Sequence, residues 1–114
     1  MSTRQRPTNC CQPKAVRPLT ERGAERVGSV LNALGDRTRL EILRFVAGQT
    51  GPVCACDIVD RFDLSQPTVS HHMKLLLQTG LLTRERSGLW MIYTLAPDAR
   101  ERLDELSSLL PEQG

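Results

Sequence analysis

Leu64-Ser65-Gln66-Pro67-Thr68-Val69-Ser70-His71-His72-Met73-Lys74-Leu75-Leu76 is the stretch on which the fold turns. Ser65 is a good helix N-cap, because its hydroxyl can accept an orphan backbone N–H of the first turn. Pro67 falls in that first turn, where its missing N–H is not needed. Val69, Met73 and Leu76 then recur at spacings of four and three and form a buried stripe, and Gly80 ends the helix. Just upstream, Ile58, Val59 and Phe62 suit a short helix from Cys54 to Phe62, and Asp63-Leu64-Ser65 leaves only a tight connection between the two. Two short helices joined in this way read as a helix-turn-helix. On the second helix Gln66, Ser70 and Lys74 line a polar row beside the stripe, with Thr68 and His71 close enough to join it.

On the N-terminal side, Thr20 can cap a first helix carrying Ala24, Val27, Val30, Leu31 and Leu34, with Gly35 as its stop. Asp36 caps a second, in which Leu40, Leu43, Val46 and Ala47 form one face with Ile42 beside it, and Gly48 through Pro52 breaks the pattern. On the C-terminal side, Leu81 to Arg86 and Leu89 to Leu95 are β-prone arms around a Ser87-Gly88 turn, the signature of a hairpin. Pro97 opens a last helix bearing Leu103, Leu106, Leu109 and Leu110. The expected fold is mainly α with a small β-hairpin, a winged helix-turn-helix in the order α-α-α-α-β-β-α. Residues 19–110 form that domain and residues 1–18 a flexible N-terminal arm carrying Cys10 and Cys11. No internal repeat points to a solenoid.

With 114 residues the chain fits one domain. Its apolar residues are mainly Leu, Val and Ala, with one Trp, one Tyr and two Phe, so the core is expected to be thin and helical, of a kind that gains stability by dimerising. No apolar run approaches the ~18 residues of a membrane span, and no apolar stretch follows the basic start as in a signal peptide. The expectation is a cytoplasmic protein without a membrane partner. Four cysteines in that reducing compartment point to metal binding or redox chemistry rather than a disulfide framework. A net charge of +2 does not identify a nucleic-acid binder, but it is unevenly spread. Residues 98–114 are acidic, whereas Arg4, Arg6, Lys14, Arg17, Arg22 and Arg26 outnumber Glu21 and Glu25 near the start, where they can lie along phosphate or simply be solvated. No catalytic triad, phosphate-binding glycine loop or paired-carboxylate site is present, so an enzyme is not expected.

Two separated strings, Ala33-Leu34-Gly35-Asp36-Arg37-Thr38-Arg39-Leu40-Glu41-Ile42-Leu43 and the stretch from Leu64 to Leu76, resemble the ArsR/SmtB family of metal-responsive repressors. With the flanking helices and hairpin the resemblance covers roughly residues 20–110. It implies a homodimeric winged helix-turn-helix that releases operator DNA when its effector binds. An amphipathic helix always needs a solvated face, and the resemblance is what turns the polar row into a DNA-reading one. Gln66 can pair with adenine, Ser70 can reach several base edges, and Lys74 can contact guanine or phosphate. Thr68 and His71 stand beside them, and Arg84 and Arg86 on the wing suit the minor groove or phosphate. His71 and His72 are adjacent and point in different directions, so they do not chelate one ion; His72 is expected to pack beside Val69 and Leu76.

The cysteines fall in two pairs, Cys10-Cys11 in the arm and Cys54-Ala55-Cys56-Asp57 at the start of the third helix. Thiolates suit zinc, cadmium, lead and mercury, and trivalent arsenic or antimony takes three of them around a pyramidal centre. Val53-Cys54-Ala55-Cys56-Asp57 is similar to the Cys-Val-Cys-Asp effector motif of arsenic- and cadmium-responsive family members. The version that adds a third local cysteine has it where Val59 stands here, so the missing ligand must come from elsewhere. Cys10-Cys11 resembles the N-terminal pair of another arsenic-responsive branch, completed by a cysteine of the other subunit. The seven residues between Cys11 and Leu19 can span up to ~25 Å, enough to reach a neighbour. Residues two apart lie on nearly opposite sides of a helix, so Cys54 and Cys56 can share a centre only if the helix start is unwound. All four stay candidates, with a helix N-terminus expected to favour thiolate formation. The family's other site, on the last helix, needs histidine; Asp98, Glu101, Asp104 and Glu105 have none beside them.

The sequence therefore reads as an As(III)-responsive repressor, with Sb(III) equivalent, binding operator DNA as a homodimer. The rivals are a four-thiolate sensor of Cd(II), Pb(II) or Zn(II), a thiol redox sensor on the same fold, and a metal buffer without operator binding.

Overall fold

In the computed structural model, which describes residues 7–112, the first four helices each begin on a side-chain cap that the sequence supplies. Helix α1 (Glu21–Leu34) starts where the Thr20 hydroxyl accepts the Gly23 N–H at 3.0 Å. Helix α2 (Arg37–Ala47) starts where the Asp36 carboxylate accepts the Arg39 N–H at 3.0 Å, a bond that holds the Asp36 carboxyl below its ordinary pKa. Strand β1 (Val53–Cys54) leads directly into helix α3 (Ala55–Phe62). Asp63 ends α3 in the left-handed conformation, φ 52°, and Ser65 caps helix α4 (Gln66–Gln78), accepting the Thr68 N–H at 3.3 Å. Strands β2 (Leu82–Ser87) and β3 (Trp90–Leu95) form the wing, and helix α5 (Ala99–Asp104) passes into a 3-10 turn, Glu105–Leu109.

The core gathers one face of each helix. Ile42, Ile58, Val69, Met73, Leu76 and Leu81 are essentially inaccessible. Burying a side chain of this size is worth about 1.5–3 kcal/mol each, so these six set the relative position of α2, α3 and α4. Phe45 and Phe62 meet edge to face, ring centroids 5.8 Å apart, and fasten α2 to α3. Gly80, at φ 77°, turns the chain out of α4; a Cβ there would also come within 2.9 Å of the Arg102 guanidinium.

Three details depart from the sequence reading. The hairpin is part of a three-stranded antiparallel sheet in the order β1-β3-β2, because Val53 pairs with Tyr93 and Cys54 with Ile92. The hairpin turn is Gly88-Leu89, one residue beyond the expected Ser87-Gly88, since Ser87 pairs with Trp90 and Gly88 supplies the positive φ of 62° that a tight turn needs. The last helix is short and starts at Ala99: Asp98 gives no cap bond because its carboxylate is engaged by Arg102 at 3.0 Å. Leu103 and Leu106 pack against the core, while Leu110 is 78 % exposed.

Residues 7–20 contain no helix or strand, and every one of them is exposed. A compact chain of about 100 residues has a radius of gyration near 13 Å; here it is 19.9 Å, with a longest dimension of 67 Å. Arg4 and Arg6, part of the expected basic arm, lie outside the described residues. No helix among the described residues is long and apolar enough to cross a membrane.

Candidate nucleic-acid interface and thiol pocket

Helix α4 buries Val69, Met73 and Leu76 and turns Gln66, Thr68, Ser70, His71 and Lys74 outward, all exposed. Arg84 and Arg86, two apart on β2, are exposed as well. Ser70 and Lys74 share an open pocket of about 530 Å³ with Arg84 and Tyr93 of the wing, so helix and wing present their polar groups around one concavity. Tyr93 is one of its lining residues, with its pKa raised by burial, an effect partly offset by Arg84.

A residue to which the sequence reading gave no role braces this helix. Arg39, largely buried, donates from Nε to the Ala33 carbonyl at 2.8 Å and from Nη2 to the Asn32 carbonyl at 3.3 Å. Its Nη1 lies 3.4 Å from His72 Nδ1. A guanidinium only donates, so Nδ1 accepts and the neutral ring carries its proton on Nε2. His72 is half-buried, and burial lowers its pKa, helped by the charge on Arg39 and opposed by Asp36. His71 and His72 rings are 6.2 Å apart and tilted by 51°, one exposed and one packed inward. The signal for Arg39 lay within the Ala33–Leu43 string, but an arginine on a helix reads equally well as a solvated charge.

The cysteines of the third helix are closer than expected. Cys54 is the N-cap of α3, with an extended backbone (φ −76°, ψ 148°), and Cys56 is the second helical residue. The cap conformation swings the two side chains to the same side, and the Cys56 thiol lies 2.7 Å from Cys54 Sγ. No unwinding of α3 is needed, because the helix begins one residue later than the hydrophobic pattern suggests. Cys54 also accepts the Cys56 N–H at 3.3 Å, while its own N–H donates to Asp57 Oδ2 at 3.0 Å. The expected ease of thiolate formation does not hold at Cys56. Its hydrogen bond to Cys54 raises its pKa, and burial and the charges of Cys54 and Asp57 add to the rise.

The pair opens into a pocket of about 370 Å³ whose other walls include Val59, Gln66, Trp90 and Met91. Cys54 and Cys56 thus share a cavity with the first residue of α4 and with the wing. Cys10 and Cys11 are exposed, and the Cys10 N–H closes a turn onto the Pro7 carbonyl at 3.0 Å. No disulfide joins any of the four. Among the described residues no three cysteine, histidine or acidic side chains come together to hold a metal ion.

A model described as bacterial regulatory protein, arsR family, matches residues 36–84, from the cap of α2 into β2. The chain is 35 % identical over 88 residues, 77 % of its length and 94 % of its relative's, to a protein of Methanocaldococcus jannaschii named an uncharacterized HTH-type transcriptional regulator. The chain belongs to the arsR family. Within that family it is 37 % identical over 81 residues, 71 % of this chain and 70 % of the other, to the arsenical resistance operon repressor of Bacillus subtilis. Its fold matches the homodimeric winged helix-turn-helix DNA-binding domain of a possible ArsR-family regulator of Mycobacterium bovis, with a TM-score of 0.63 at 26 % identity over 82 % of this chain and 88 % of that one. As an arsR-family member the chain is a DNA-binding transcriptional repressor and not an enzyme.

Proposed function

We propose that this arsR-family protein binds operator DNA as a homodimer and releases it when As(III), or Sb(III), is bound by cysteine thiolates drawn from two subunits. The observation that carries the reading is the shared pocket: the converged sulfurs of Cys54 and Cys56 line one cavity with Gln66, the first residue of α4. In the metal-free dimer Gln66, Thr68, Ser70, His71 and Lys74 read the major groove, and Arg84 and Arg86 of the wing hold phosphate or the minor groove.

Arsenous acid exchanges its three hydroxyls for three thiolates, each S–H proton leaving with a hydroxyl as water, and the arsenic stays trivalent. Two sulfurs converge within one protomer, so the third must be brought in. Cys10 and Cys11, on an exposed segment within ~25 Å of chain from Leu19, supply it from the partner's arm. Closing the arm onto the start of α3 displaces Gln66 and removes Lys14 and Arg17 from phosphate. The coupling is on the order of 1–3 kcal/mol, and DNA weakens arsenite binding by the same factor. Dimerisation is supported by the half-exposed Leu31 of α1 and by the leucines after α5, which a second copy can cover.

The test is operator binding by fluorescence anisotropy, with arsenite, antimonite, cadmium, lead and zinc titrated separately. Release by arsenite or antimonite, lost in Cys54→Ser or Cys56→Ser protein and in the doubly substituted Cys10→Ser, Cys11→Ser protein, is expected. Release by cadmium, lead or zinc alone, requiring all four thiols, would move the assignment to a four-thiolate sensor, and release by peroxide without metal would make it a redox switch.

A further inference from the structure

We propose that Leu89, at the tip of the wing, is an apolar wedge that enters the minor groove of operator DNA and opens a flexible pyrimidine–purine step. The proposal rests on the reading of the wing as a DNA-holding element and names what its tip does there. Leu89 is 94 % exposed and its neighbour Trp90 is 59 % exposed. The exposed Leu31 and Leu110 belong to the face that a second copy can cover, whereas these two side chains stand at the turn between β2 and β3. Strand β2 is exposed from Thr83 to Ser87, so the hairpin projects from the sheet, and even a Cβ at Gly88 would meet nothing within 4 Å. A lone exposed leucine is ordinary; an adjoining leucine and tryptophan at the point of a hairpin that also carries Arg84 and Arg86 form an apolar tip behind which cations are ready for phosphate.

Those cations say what the tip meets. Arg84 lines one concavity with Ser70 and Lys74 of α4, so the polyanion held there is the surface that continues to the wing tip. An apolar protein partner would instead desolvate the same guanidiniums without pairing them. The minor groove is about 6 Å wide, and paired strands already lie about 4.8 Å apart before their side chains are counted. Only the two-residue turn Gly88-Leu89 can therefore go in, and Leu89 is the one side chain it carries. A leucine makes no hydrogen bond to a base edge. Its gain comes from the apolar base faces that are uncovered when a step unstacks, and pyrimidine–purine steps unstack at least cost. The wedge thus reads deformability, a specificity separate from the hydrogen bonds of α4.

The test uses the full chain on its operator duplex, with 2-aminopurine placed in turn at the steps flanking the major-groove contacts and a dye pair at the duplex ends. Wild type is expected to raise 2-aminopurine emission at one step in each half-site, to bend the duplex, and to quench Trp90, the one tryptophan. Leu89→Ala is expected to abolish the 2-aminopurine signal, reduce the bend and weaken binding by about tenfold. Its salt slope and melting temperature stay at the wild-type values, because Leu89 carries no charge and packs against nothing in the free protein. Replacing the opened step by a stiff A-tract weakens wild type and leaves Leu89→Ala unaffected, while Leu89→Arg prefers the A-tract, whose narrow groove attracts a cation. Equal 2-aminopurine emission and bending in wild type and Leu89→Ala would overturn the wedge, as would a Leu89→Ala defect confined to self-association, which puts the tip on a second copy. An unchanged salt slope in Arg84→Ala beside a Leu89-dependent 2-aminopurine signal would overturn the phosphate-holding reading of the wing and leave the wedge standing.

Discussion

Three helices of this chain begin on an oxygen cap, from Thr20, Asp36 or Ser65, and α3 begins on a sulfur. Sulfur is a weak acceptor, so the Cys54 cap bond, 3.3 Å like that of Ser65, is weaker than an oxygen's at the same length. Cysteine at this position is therefore a poorer cap than serine, and its chemistry rather than its capping accounts for it. Cys54→Ser is expected to leave thermal stability unchanged or raise it by a few tenths of a kcal/mol to about 1 kcal/mol, while abolishing arsenite-induced release. Calorimetry and anisotropy on the same protein separate the two effects. Cys54→Ala removes the group that raises the Cys56 pKa, so the rate of Cys56 alkylation by iodoacetamide should climb at lower pH than in the wild type. The two cysteine pairs were legible in the sequence. Their convergence was not, because it depends on Val53 pairing with Tyr93, forty residues away, which draws Cys54 into extended backbone before the helix starts.

Helix α4 is the element the sequence describes most completely, since cap, first-turn proline, buried stripe and terminating glycine are all local signals. Its bracing is not local: Arg39 reaches it from α2 through His72. Burial depresses the His72 pKa, so the folded state binds fewer protons at this ring than the unfolded chain does. The resulting stability is fully present above the ordinary value of 6.5 and is lost as pH falls through the lowered folded value. His72→Gln should flatten this part of the pH dependence of the urea midpoint. On the DNA-facing side, Lys74→Ala and Arg84→Ala are each expected to reduce the slope of log K against log salt by about one. Gln66→Ala should instead cost about 1–3 kcal/mol at one base pair and relax specificity there. The last helix was the least legible element: it starts at Ala99 rather than at Pro97, and Asp98, engaged by Arg102, gives it no cap bond.

At the scale of the whole molecule, two thiols share a pocket with the first residue of α4 and two more stand on an exposed segment, and no protomer alone brings three together among its described residues. The composition pointed to a thin core and a partner subunit, but which thiols meet across the dimer is a property of two chains, and no spacing within one chain contains it. Mixed dimers decide it. One protomer carries Cys10→Ser and Cys11→Ser, the other Cys54→Ser and Cys56→Ser, and differently tagged copies are co-expressed so that only the heterodimer is purified. If the site joins the arm of one subunit to the α3 start of the other, each parent homodimer is blind to arsenite while the heterodimer regains one complete site. Arsenite should then release operator DNA, followed by anisotropy, from the heterodimer and from neither parent. A heterodimer as unresponsive as its parents, beside a wild type that releases normally, would contradict the account and place all the ligands within one subunit.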